Sequence, residues 1–148
     1  MSNYRQPNGD DYPDAARKHL DDAGVLLSAG RYDGAGYHAG YVVECALKTL
    51  LQVDKDSIQT IRNLKHNLSD LSHRAAVLAI GGSPHTARYI PNPPPTIPYA
   101  APPAGWQETM RYRATGDLDQ VMTQAWVTEA GRVYQKTVQQ MRLDGVIV

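Results

Sequence analysis

Four sets of side chains in this sequence have types and spacings that fit chemistry. His38 stands in the mostly apolar stretch Gly30 to Leu51, GRYDGAGYHAGYVVECALKTLL. An imidazole titrates near neutral pH and can act as general acid or base. On so apolar a helix, a core histidine satisfied by a partner is the expected reading. Glu44 and Lys48 are four apart in the order that favours an ion pair. They can hold a catalytic histidine or a phosphate, or form an ordinary structural pair. His66 falls near the start of a third helical stretch, where free N–H groups attract anions; it can contact a phosphate or cap the helix. Arg111, Tyr112 and Arg113 form the densest basic–aromatic cluster. Guanidinium forks bind phosphate bidentately and a tyrosine ring stacks on a base. The plainer alternative has Tyr112 anchoring its loop in the core and the arginines meeting carboxylates such as Glu44.

Other chemistry finds little support. Cys45 lies on the buried face of its helix without a visible base, which argues against a nucleophile. His66 and His73 are seven apart and otherwise unsupported as ligands, so no metal and no cofactor are expected. Gly81–Gly82 follows a helix and lacks the Lys-Ser/Thr of a phosphate loop. Fifteen basic residues balance fifteen acidic ones, so any contact with RNA must come from a local patch. A single cysteine excludes an intramolecular disulfide and suits a reducing compartment. The polar start MSNYRQPNGDDYPD has no apolar core of a secretion signal, and no run of about 18 apolar residues occurs. A cytoplasmic protein without membrane segments is expected.

The 148 residues are enough for one domain with a real core. Residues 1–12 are polar and read as a loose arm. Ala16, Leu20, Ala23 and Leu27, widened by Leu26, give a helix over Asp14–Ala29, with Pro13 in its first turn and Gly30 as its stop. A link of about four residues implies an antiparallel partner. That partner, about Asp33 to Leu51 with Asp33 as its cap, carries the rows Tyr37–Tyr41–Cys45 and Val42–Ala46–Leu50. Gly36 and Gly40 leave a flat strip where another backbone can approach. Leu68, Leu71, Ala75 and Leu78 mark a third helix, opened by an Asn67–Asp70 capping arrangement and stopped by Gly81 and Gly82. Residues 83–105 hold eight of the ten prolines, which leaves no room for a helix or inner strand there. A fourth helix runs from about Asp117 to Leu143, with Leu118, Met122, Ala125, Val133 and Thr137 on one face, Trp126 and Tyr134 adjoining it. The tail VIV adds a short strand or a dimer contact. The architecture is all-α: four main helices in a bundle, with a long proline-rich loop between helices 3 and 4.

The segment AARKHLDDAGVLLSAGRYDGAGYHAGYVVECALKTLL, followed by KHNLSDL and WQETMRYR, resembles the HEPN domain family. That resemblance implies an antiparallel helical bundle that dimerises, with itself or with a small nucleotidyltransferase partner. It implies a nucleotide- or RNA-interacting role in toxin–antitoxin or phage-defence-type systems, and in some members metal-independent endoribonuclease activity. The family's nucleases carry Arg, four to six residues, then His, late in the chain. Here no His follows His85. Arg62 reaches His66 after three intervening residues, and Arg31 reaches His38 after six but straddles the turn into helix 2. Arg31, His38, Arg62 and His66 are therefore the catalytic candidates, and enzyme or binding module stays open. The ligand-binding candidates are Arg111, Tyr112, Arg113, Glu44 and Lys48. Arg111, Arg113, His38 and His66 are expected to line one groove between helices 2 and 3 and the approach to helix 4. A homodimer is expected to cover Trp106 and the VIV tail.

Overall fold

The computed structural model describes residues 1–56, 58–81 and 84–148, and among them every regular element is helical. They are α1 (Tyr12–Ser28), α2 (Tyr32–Val53), α3 (Ile58–Asn63), α4 (Leu68–Gly81), α5 (Pro84–Ala87), a 3-10 turn (Glu108–Tyr112), α6 (Gln120–Tyr134), a π-helical segment (Gln135–Gln139) and α7 (Gln140–Leu143). The stretch from α6 through α7 is unbroken helix, so the last long element starts three residues later than its sequence suggests. Asp119 supplies the cap, its carboxylate accepting from the Met122 amide at 2.8 Å. Asp117 instead pairs with Arg113.

The second helix is central because its sequence is apolar on most sides. It packs against α1, α4 and α6. Val42, Val43, Ala46, Leu47, Leu50 and Leu51 are all fully buried on it. Gly36 and Gly40 admit side chains, not the backbone expected from their spacing. Gly36 faces Leu118 and Trp126, and Gly40 faces the indole of Trp106. On the last long helix the buried face is Thr123, Trp126, Ala130 and Val133, while Ala125 is exposed. Of the expected face Leu118, Val133 and Thr137 are buried and Met122 partly so; Ala125 departs from it, while Trp126, expected beside that face, packs with Leu118 against Gly36.

Capping differs in two places. Asp33 does not cap α2; lying inside the first turn, it accepts from the backbone N–H groups of Gly116 and Leu118 at 2.7 and 3.0 Å and so fixes the approach to α6. Asn67 does cap α4, accepting from the Asp70 amide at 3.0 Å. That helix runs to Gly81; Gly82, the second expected stop residue, lies outside the described residues.

Two segments are more ordered than their composition implies. Ser2 gives both its backbone and hydroxyl hydrogens to Asp11 (2.6 and 2.8 Å), and Gln52 donates to the Tyr4 carbonyl, so residues 1–11 lie on the body and are no loose arm. The proline-rich stretch opens with the short helix α5, because Pro84 occupies a first-turn position that needs no donor. Thr86 ties α5 to Asp54 at the end of α2 (2.5 Å). Further on, Arg132 donates to the carbonyls of Pro93 and Pro94 while its partner Glu129 accepts from the Thr96 amide. The tail forms no strand: Ile147 is buried, and Val148 exchanges hydrogen bonds with Asn3.

Candidate functional site

The antiparallel α1–α2 hairpin brings together side chains about 20 residues apart in sequence. The Nδ1 atoms of His19 on α1 and His38 on α2 are 2.9 Å apart. Asp22, one turn along α1 from His19, has its Oδ2 3.9 Å from the same His38 nitrogen. Tyr41 stacks on His19 with ring centroids 5.2 Å apart, and Tyr37 meets His38 edge-on at 5.8 Å. The Tyr37 hydroxyl donates to that of Tyr41 at 3.3 Å. Burial, then the neighbouring His38 and Lys18, push His19 down to about 4. Burial likewise holds His38 below its ordinary value. Both rings are therefore neutral at physiological pH, one nitrogen donating and the other accepting. Burial also raises the Tyr41 hydroxyl, which stays protonated.

Glu44 is the second centre. It is 4% exposed, and Lys48, 6% exposed, donates to its Oε1 at 2.7 Å. His66 Nδ1 lies 2.9 Å from the other carboxylate oxygen. That hydrogen bond raises His66 above its ordinary value, against the pull of partial burial. His66 thus neither caps α4 nor stands free for an anion: a buried carboxylate needs a hydrogen-bonding partner on each oxygen, and His66 is the second one. Lys48 also lies over the Tyr12 ring, 5.4 Å from its centroid. Tyr41 joins the two centres, edge-on to His66 at 5.9 Å and to Trp106 at 5.1 Å.

The Arg111–Arg113 cluster differs from the plainer sequence reading. Tyr112 is 77% exposed and anchors nothing in the core. The Arg111 guanidinium lies over its ring, 4.9 Å from the centroid, and does not reach Glu44. Hydrogen bonding to Tyr112 and then Tyr37 raises Arg111 still further, so it is a permanent cation beside the α2 tyrosines. Trp106 does the anchoring. It is fully buried, and its Nε1 donates to the Tyr37 carbonyl at 2.9 Å.

His38, His66 and Arg111 thus border one connected row of rings, with Tyr37 and Tyr41 between them. The other candidates lie apart from it. Arg113 is taken by Asp117. Arg62 faces the N-terminal segment, 3.8 Å from Asp10 and 3.5 Å from Gln6 Oε1. Arg31 lines a hollow at the α1–α2 turn with Asp33, Gly116 and Leu118. Cys45 is buried, and burial pushes its thiol up to about 12, which leaves it inert. Sequence reasoning missed His19 and Asp22, and read Tyr37 and Tyr41 only as a packing row. A signal was present: His19 and His38 each lie roughly two helical turns from the short link, so an antiparallel hairpin sets them opposite each other.

A row of aromatic faces edged by one permanent cation, with two neutral imidazoles at one end, can stack on planar groups, hold an anion and move a proton. A family model for the HEPN domain matches residues 11–90, from the residue before α1 through the residues just after α5. No curated protein and no solved structure is significantly similar to the chain. With more than half of its length matched, and every regular element among its described residues helical, the chain belongs to the HEPN domain family.

Proposed function

We propose that this chain is a nucleotide- or RNA-interacting HEPN subunit that takes its ligand along the Tyr37–Tyr41 row and the Arg111–Tyr112 pair beside it. The observation that carries the reading is Tyr112: a large aromatic ring left in water with a guanidinium over one face. Such a pair offers a phosphate contact and a stacking surface together. The chain's charge balance makes this local cation matter more, since no global field draws in a polyanion. In this reading residues 1–148 form a single domain, an antiparallel four-helix bundle of HEPN type, working in the cytoplasm within a toxin–antitoxin or phage-defence-type system. It pairs with itself or with a small nucleotidyltransferase. Family habit supports the pairing; Trp106 and Ile147, being buried, no longer argue for it.

A second reading, a metal-independent endoribonuclease with a displaced Arg/His site, draws support from His38 and Arg111 both bordering Tyr37. One experiment separates the two. Single-stranded RNA is titrated at two salt concentrations and incubated for cleavage with the parent, Arg111→Ala, Tyr112→Ala, His38→Ala and His66→Ala proteins. The binding subunit predicts salt-sensitive binding, weakened by Arg111→Ala and by about 1–3 kcal/mol with Tyr112→Ala, the worth of one base stack. Cleavage lost with either histidine selects the nuclease. Absence of both binding and cleavage refutes the site.

A further inference from the structure

We propose that His19, Asp22 and His38 form a binding site for a divalent transition-metal ion of the zinc type. Each offers one donor atom, and the three atoms lie within 4.8 Å of one another. Two come from one helix at a spacing of three, so they share a face of α1, and the third comes from the helix packed against that face. The most extensive helix–helix contact of the fold, α1 with α2, therefore holds the ligands in place.

The geometry is close to that of a filled site. Zinc binds imidazole nitrogen at about 2.0–2.1 Å, so two such ligands in a tetrahedron sit about 3.3 Å apart. The two Nδ1 atoms here are 2.9 Å apart, so the ion enters when they open by a few tenths of an ångström, both rings turn to converge their lone pairs, and the donor ring moves its proton to Nε2. The Asp22 side chain is half exposed and turns within its rotamers to close the 3.9 Å gap to His38 Nδ1. Ring packing fixes the two imidazole planes, His19 under Tyr41 and His38 against the edge of Tyr37. Two nitrogens and one carboxylate oxygen suit zinc, copper or nickel and are poor for magnesium or calcium, which prefer all-oxygen shells. Three protein ligands leave an outer position to water, the pattern of open zinc sites. The Lys18 ammonium lies close enough to act on both imidazoles and opposes a cation, and Asp22 acts on them in the opposite sense. The competing account is a plain hydrogen bond between the rings, with Asp22 a spectator.

The test uses metal alone and no RNA, so its failure leaves the nucleic-acid reading untouched and that reading's failure leaves this one untouched. Tag-free protein, stripped with chelator, is titrated with Zn²⁺ against a chromophoric competitor and, separately, with Co²⁺ followed by visible absorption. One ion per chain is expected, with cobalt bands of a tetrahedral site. Asp22→Asn and His38→Ala are each expected to weaken binding by at least about tenfold, while His73→Ala, on the exposed face of α4, leaves it unchanged. Asp22 is at the surface, so its variant folds and carries the test even where a histidine variant does not. The proposal is overturned by no binding, by several weak ions without a tetrahedral cobalt spectrum, or by affinity that Asp22→Asn leaves intact.

Discussion

Replacing Gly40 by alanine puts the packing of α2 to a severe test, because two opposite effects have known sizes. Alanine in a helix interior is favoured over glycine by about 1 kcal/mol, so propensity alone predicts a more stable protein. The structure predicts the reverse. A Cβ on Gly40 would overlap the Trp106 indole at Cδ1, Nε1 and Cε2, well inside contact distance. Trp106 has nowhere cheap to go, since it is fully buried and its Nε1 is bonded to the Tyr37 carbonyl. Should the core absorb the methyl group, overpacking costs up to about 3 kcal/mol, which leaves a net loss of about 2. Should the indole be expelled instead, about 200 Å² of aromatic surface returns to water, which costs about 5 kcal/mol at the usual coefficient.

With the propensity gain taken off both routes, urea unfolding should show Gly40→Ala less stable by about 2–4 kcal/mol, a fall in Tm of roughly 4–16 °C for a chain of this size. Gly24→Ala is the control. Nothing lies within 4 Å of a Cβ at that position on α1, so only propensity acts and stability should rise by up to about 1 kcal/mol. Tryptophan fluorescence tells the two routes of loss apart, since expulsion shifts emission to the red and overpacking does not. A Gly40→Ala protein as stable as Gly24→Ala would refute the reasoning and the close seat of Trp106 with it.

Two further outcomes follow from the Glu44 centre. Glu44→Gln leaves a buried ammonium at Lys48 without its counter-charge and should cost about 3 kcal/mol, whereas the double change Glu44→Gln/Lys48→Met should recover part of that loss; a single variant as stable as the parent would show that the pair is idle. For His66 the hydrogen bond to Glu44 raises the folded-state value above the unfolded one. Its stabilising contribution is then full below about pH 6.5 and fades as pH rises through the folded value. Lys48 opposes that shift, Glu108 supports it, and Tyr41 packs edge-on against the ring. The stability gap between the parent and His66→Gln should be widest in mildly acidic buffer and narrow towards pH 8, and a gap that widens with pH contradicts it.

The helices were legible because their apolar rows repeat with helical period and because glycine, proline and asparagine mark the ends. Leu68, Leu71, Ala75 and Leu78 are all buried, as that period requires. What escaped was decided by single contacts between distant segments. Asp33 looks like a cap from its neighbours in sequence, yet the amides of Gly116 and Leu118 outbid its own helix. Ala125 fits the helical period of Leu118 and Val133, yet it is exposed, while the next residue, Trp126, is buried and shares with Leu118 the space beside Gly36. Serine at position 2 carries no sign that Asp11 will hold it. The site followed the same rule. Glu44 and Lys48 could be paired from their spacing alone, whereas His66 as the third member depends on how α4 docks.

The second helix explains why core and candidate site cannot be separated in this fold. Its inward rows are apolar apart from Thr49, and its other face runs from the half-buried Tyr37 and Tyr41 to the buried Glu44 and Lys48, beneath α1, the approach to α4 and the Trp106 loop. His19, His38, Tyr41 and His66, which border that face, lie at intermediate depth, where desolvation moves titrations without sealing the groups from solvent. The opposite shifts of His19 and His66 show the consequence. Burial, His38 and Lys18 outweigh Asp22 at one ring and push it towards neutrality; the other gains a hydrogen-bonded carboxylate and is pushed towards charge. Two histidines on the same aromatic row therefore hold different protonation states at one pH. A neutral pair at one end and a chargeable ring at the other is an arrangement in which substituting Tyr41, the residue that touches both, should disturb the two ends together.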